Sequence, residues 1–177
     1  MTCICNKSAL FAVLLGLLGN ADANARCMNH ENTSIPENTP TSSYTVLADG
    51  TVIDPVRHLM WMRCLYGQTL ANGLCTGTAP GFAWVDAIGT AHALSFAGHS
   101  DWRLPNAKEL LSIYDDRCAG PSLNADLFPI ADQFLLWTAA PTALGAPPES
   151  WAMSNSGELQ HWPSNSTLNI LLVRDMP

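Results

Sequence analysis

Apolar residues in this chain come in short runs broken by Gly, Pro, Asn and Ser, and their spacing changes from strand-like to helix-like and back. Residues 44–48 and 51–54 flank Asp49-Gly50, a pairing that predicts a hairpin with a two-residue turn. Residues 59–64, Leu-Met-Trp-Met-Arg-Cys, predict a third strand buried on both faces. Residues 66–81, rich in Gly, Thr, Asn and Pro, read as a loop. Trp84, Ile88, Ala91 and Leu94 then recur at helical spacing and predict a first helix over 83–97, with His92 on it as a surface or packed residue rather than a ligand.

The stretch 98–111 concentrates the strongest local signals. Gly98 can adopt the left-handed conformation that closes a helix, and Pro105 holds Leu104 out of the helical region. Asn106 with Glu109 three residues later predicts a capping box, so a second helix starts there. Ala107, Leu110, Leu111 and Tyr114 form its apolar stripe. Asp101, Trp102 and Arg103 sit in the turn, where a large ring and a five-donor fork lock the backbone once both find partners. The segment therefore reads as a structural knot, not an active site.

Beyond it, 115–134 is irregular, with Leu123, Leu127 and Phe128 directed inward; 135–139 reads as a strand and 140–149 as a Pro- and Gly-rich loop. Residues 150–154 and 158–162 form a hairpin around Asn155-Ser156-Gly157, and 168–175 is the last strand. Two helices with several short strands predict an α+β fold with a largely antiparallel sheet.

Composition adds compartment. Lys7, the twelve-residue apolar run 8–19 and Ala23-Asn24-Ala25 read as a secretory signal peptide cleaved after Ala25. Twelve apolar residues are too few to span a bilayer, so no membrane insertion is expected after cleavage. The mature chain is then an extended arm over 26–43, tethered through Cys27, and one domain over 44–177. Cys27, Cys64, Cys75 and Cys118 remain, an even number in an exported chain, which favours disulfides over a metal site. Of three connectivities, Cys64–Cys75 with Cys27–Cys118 is expected: the first pair flanks one loop, and the second ties the arm to the end of the second helix. Removing Lys7 and Asp22 leaves 7 basic and 14 acidic residues, still −7. Such a surface excludes nucleic acid and anionic lipid as natural partners.

Candidate chemistry is sparse. His99-Ser100-Asp101 has triad residue types, but adjacency in sequence is the wrong geometry. Asp115-Asp116 beside Arg117 reads as solvated or ion-paired carboxylates. Gly67, Gly73, Gly77 and Gly81 match no phosphate-binding spacing, and no alternating-acid calcium loop is present, so no cofactor or metal is expected. The aromatic-rich segment 140–165 is the candidate ligand surface: Trp151 and Trp162 offer rings, and Glu149 and His161 offer hydrogen bonds to hydroxyls. With no Lys or Arg in that segment, the expected partner is a neutral glycan or a cell-envelope protein rather than a sulfated polymer.

Taken together, Asp49-Gly50-Thr51-Val52 with Asp54, Leu59-Met60-Trp61-Met62-Arg63-Cys64, Tyr66-Gly67-Gln68-Thr69, Cys75-Thr76-Gly77, Trp84 with Ala87, and 98–106 with Lys108-Glu109-Leu110 resemble the Lcl C-terminal domain family. Phe128-Pro129, Trp137-Thr138, Trp151-Ala152 with Gly157, and Val173-Arg174 continue the pattern in order. The family is named after the C-terminal domain of the Legionella collagen-like adhesin. The resemblance implies bacterial export to the periplasm, cell surface or medium, a C-type-lectin-like fold and, for the name-giving member, adhesion through sulfated polysaccharides. His58 stands where the family usually has Gly, and the segment after Trp162 is short. A binding module is the leading expectation. A structural or accessory subunit of a surface assembly, including a homo-oligomer, is second. An enzyme of the related formylglycine-generating type, which acts through cysteines, is third.

Overall fold

The computed structural model describes residues 26–143 and 145–177, so the expected signal peptide lies outside the described residues. In chain order the elements are β1 (His30–Glu31), β2 (Thr45–Val46), β3 (Thr51–Asp54), β4 (Leu59–Met62), β5 (Thr69–Ala71), β6 (Leu74–Thr76), α1 (Trp84–Ala93), α2 (Ala107–Leu111), β7 (Cys118–Ala119), β8 (Leu135–Pro141), β9 (Glu149–Ser154), β10 (Leu159–Pro163) and β11 (Val173–Asp175). They build a four-stranded sheet in the order β11-β4-β3-β2, a three-stranded sheet β10-β9-β8, and the two-stranded ribbons β1-β7 and β5-β6. Every strand pair is antiparallel. This is the expected α+β fold, with two short helices and two disulfides.

The continuous apolar run of β4 is buried at all four positions, as a central strand between β3 and β11 requires. Trp61 on it is fully buried and meets Phe128 edge-on at 6.3 Å. Below it, 168–172 is not the continuous strand expected from sequence; only 173–175 is regular. The backbone there bonds to a different segment at almost every residue: Leu168 N–H to Phe82, Asn169 N–H to Leu135, and the carbonyls of Ile170 and Leu172 to the amides of Tyr66 and Met62. Its apolar side chains fill the space between the two sheets, and no single neighbour could form a ladder with it.

Four further expectations change. The β2-β3 hairpin closes at Leu47 and Thr51, so its loop is the three residues 48–50, with Gly50 left-handed at φ 87° and Asp49 Oδ1 accepting from Thr51 N–H and Oγ1. Residues 66–81 contain the β5-β6 hairpin around Asn72-Gly73, both left-handed (φ 51° and 79°), a two-residue turn missed in the loop-like composition. Helix α1 ends at Ala93, because 96–99 folds into its own tight hairpin. Phe96 and His99 exchange backbone hydrogen bonds across Ala97 (φ 51°) and Gly98 (φ 77°). Gly98 is left-handed as expected, but as a turn residue rather than a helix cap. Helix α2 is five residues long, too short to carry its stripe through: Leu111 is exposed, and Ile113 is buried instead.

The arm over 26–43 is also more than a tether, since it makes specific contacts along its length. β1 pairs with β7, Arg26 is ion-paired with Glu37, and the buried Thr39 Oγ1 donates to Asp115 Oδ2 at 2.7 Å. Asp115 is thus buried and hydrogen-bonded, not solvated or ion-paired, while Asp116 is exposed. Cys27–Cys118 and Cys64–Cys75 are the disulfides present.

Candidate functional site

The sequence-prominent knot is a joint. Asn106 Oδ1 accepts from the amides of Lys108 and Glu109, and Glu109 Oε2 accepts from the Asn106 amide, completing the capping box. Arg103 forks onto both oxygens of Glu109 (2.8 and 2.9 Å) and both of Asp175 (2.7 and 3.0 Å). Arg174 grips Asp101 in the same two-pronged way at 2.7 and 3.0 Å. Buried Trp102 donates Nε1–H to the Phe96 carbonyl at 3.1 Å, and Pro105 O accepts from the amide of Ala139. These groups satisfy one another and fasten β11 to the α2 turn.

The two aspartates carry a pH signature. Hydrogen bonding to Arg174 holds the Asp101 carboxyl below the usual carboxylate range, and hydrogen bonding to Arg103 does the same for Asp175. With folded pKa values depressed, the pairs stabilise the fold fully above the unfolded value of about 3.9, and the contribution is lost as pH falls through the lower folded values. Asp101→Asn should therefore be less stable than wild type at about pH 6, with the gap closing in strong acid. Denaturant unfolding at several pH values measures this; a gap independent of pH would contradict it. Both carboxylates are largely exposed, so the gap is small.

The β8-β9-β10 sheet holds the predicted ligand residues, and strand alternation divides them. In the β9-β10 register Glu149 faces Pro163, Ser150 faces Trp162 and Trp151 faces His161. Glu149, Trp151 and His161 therefore share one face, and Trp162 lies on the other with Ser150 and Gln160. The structure brings three of the four residues together and separates the fourth. His161 Nδ1 lies 2.7 Å from Glu149 Oε2, and its ring stands edge-on to Trp151 at 5.7 Å. Leu136 and Met153 on this face are buried, while Trp151 is half-buried and His161 exposed, so the face is covered at one end and open at the other. Trp162, 38% exposed, directs Nε1–H to Gln160 Oε1 at 3.2 Å.

Glu149 also lines a groove of about 560 Å³ that sequence reasoning centred on 140–165 only half anticipates. One wall is Pro141, Pro147 and Pro148 with Ser164 and Asn165; the other is Trp84 and the exposed Val85 at the start of α1. Its size suits a small ligand or a short segment of a larger one, and its lining contains no Lys or Arg. A bulge in β8 brings the walls together. Between Trp137, opposite Ala152, and Pro141, opposite Ser150, the strand carries extra residues, and there Thr138 O accepts from Trp84 Nε1 at 2.8 Å. Trp84 alone would not reveal this, because its periodicity marks it as a core-facing helix residue.

Among the described residues no group of His, Cys, Asp and Glu is arranged to hold a metal ion, and no helix is long and apolar enough to cross a membrane. No curated protein matches this chain. The model of the Lcl C-terminal domain matches residues 50–174, which include β3 to β10, both helices and the knot, and the chain belongs to that family.

Proposed function

We propose that this protein is an exported binding module that recognises a neutral glycan or an uncharged protein segment on the open face of β9-β10. The observation that carries the reading is the cluster of Trp151, His161 and Glu149. It combines an aromatic edge, an imidazole and a carboxylate beside an apolar groove whose lining contains no Lys or Arg. Aromatic rings take the apolar faces of sugars, and the hydrogen-bonding pair can serve hydroxyls through His161 Nε2 and Glu149 Oε1. Neither atom has a hydrogen-bond partner among the described residues. Family membership supports a lectin-like surface role, but the absence of Lys and Arg over 140–165 favours an uncharged ligand over a sulfated one. The two disulfides and the sequence of the first 25 residues support export. Cysteine-based catalysis is disfavoured, because all four cysteines beyond residue 25 are in disulfides.

The test is a glycan array followed by calorimetry on each hit. Trp151→Ala and Glu149→Gln should each lower affinity at least tenfold, with thermal unfolding close to wild type and little change from 50 to 300 mM salt (about 1.4 kcal/mol per tenfold). Trp162→Ala, on the other face, should leave affinity unchanged. Hits confined to sulfated glycans, or a loss for Trp162→Ala alone, would overturn the reading.

A further inference from the structure

We infer that β10 is a self-association edge, through which two copies of this chain pair antiparallel about a twofold axis at Gln160. β10 is the outer strand of its sheet. Its residues 158, 160 and 162 face β9 through the Ser154–Glu158 closure and the register Ala152–Gln160 and Ser150–Trp162, which turns the amides and carbonyls of Leu159 and His161 outward. Edge strands are normally blunted by charge, proline or a bulge. Leu159-Gln160-His161-Trp162 carries no Lys, Arg, Asp or Glu, and proline enters only at its end as Pro163. Leu159 and Trp162 are both exposed, one on each face.

The edge is complementary to itself and not merely open. On one face Glu158, Gln160 and Trp162 form a prearranged row: Gln160 Nε2 donates to Glu158 Oε2 at 2.7 Å, and Trp162 Nε1 donates to Gln160 Oε1 at 3.2 Å. Reversed by the twofold, this row sets each Trp162 N–H opposite the second copy's Glu158 carboxylate and the two Gln160 amides opposite each other. On the other face each Leu159 meets the second copy's His161. The outward groups of Leu159 and His161 then form four backbone hydrogen bonds. The two Glu158 carboxylates end up at opposite ends of the pairing, about 14 Å apart and beyond the screening length in physiological salt. An unrelated strand would satisfy the backbone but not this row, which favours a second copy as the occupant. Both Trp151 clusters would lie on the same side of the resulting six-stranded sheet.

Sedimentation equilibrium of the exported chain tests this without a ligand. Wild type should show a concentration-dependent dimer that strengthens with salt, since each copy carries a net charge of −7. Gln160→Lys puts two ammonium groups face to face at the axis, and Gln160→Glu puts two carboxylates there. Each variant should be monomeric and unfold thermally like wild type at dilutions where wild type is itself monomeric, and an equimolar mixture of the two should recover the dimer. A wild type that is monomeric at all concentrations, a Gln160→Lys variant that still dimerises, or a mixture that stays monomeric would each overturn the proposal.

Discussion

Trp102→Ala should destabilise the protein by about 3–5 kcal/mol, the usual cost of deleting a fully buried large aromatic side chain, and lower Tm by roughly 6–20 °C for a domain of this size. Trp102 is 1% exposed, stands edge-on to Phe96 at 5.9 Å, and donates to the Phe96 carbonyl. It therefore ties the 96–99 hairpin to the turn before α2. Trp102→Phe separates the two contributions. It keeps most of the ring and loses the N–H donor, while the Phe96 carbonyl still accepts from His99 N–H at 3.0 Å. No buried acceptor is orphaned, so the expected cost is only about 1–2 kcal/mol. Calorimetric unfolding of the two variants decides the matter; equal losses would mean that the hydrogen bond, not the packing, carries the site.

Replacing Cys27 and Cys118 together by Ala should cost about 2–5 kcal/mol, the second large effect. The bond spans a sequence separation of 91, against 11 for Cys64–Cys75, so in the chain-entropy model it restrains the unfolded chain more: about 4.7 kcal/mol for a loop near 100 residues, and somewhat under 3 kcal/mol for the short one. The arm itself should stay docked at its far end, where Thr39 and Asn124 hold buried hydrogen bonds to Asp115 and to the Thr39 carbonyl. Hydrogen exchange should therefore quicken over 26–31 and change little over 38–41. Uniform loss of protection across the whole arm would show that the disulfide alone holds it.

Local signals in the sequence were enough for much of the scaffold. Asn106 and Glu109 specify the start of α2 because a capping box is satisfied within four residues. The apolar run of β4 specifies a central strand because only burial on both faces accommodates it. Cys64 and Cys75 flank a single loop, and their pairing leaves Cys27 for Cys118. Where local rules compete, the outcome was not legible. The helical spacing through Leu94 runs on beyond the end of α1, because Phe96, Ala97 and Gly98 close a tighter hairpin that Trp102 then caps. The extent of 168–172 could not be read either, since its apolar pattern is the same for a ladder as for a thread bonded to four different segments.

The candidate site divides along the same line. Residue types alone marked Glu149, Trp151, His161 and Trp162 as candidates and, through the missing Lys and Arg, the charge class to be expected of a partner. Which of them meet was decided by the β9-β10 register, because side chains alternate with a period of two and one step in sequence places Trp162 on the opposite face from His161. The groove depended on tertiary structure entirely: Trp84 and Val85 lie more than fifty residues before Pro141, and the bulge in β8 together with the Trp84 N–H to Ser164 O hydrogen bond brings the two walls within reach of one another. Sequence determined the elements whose stabilising contacts lie within a turn or two of chain, together with the charge and covalent frame of the protein. The tertiary structure decided everything that rests on contacts between distant segments, because local chemistry is satisfied equally well by several arrangements and only long-range packing selects among them.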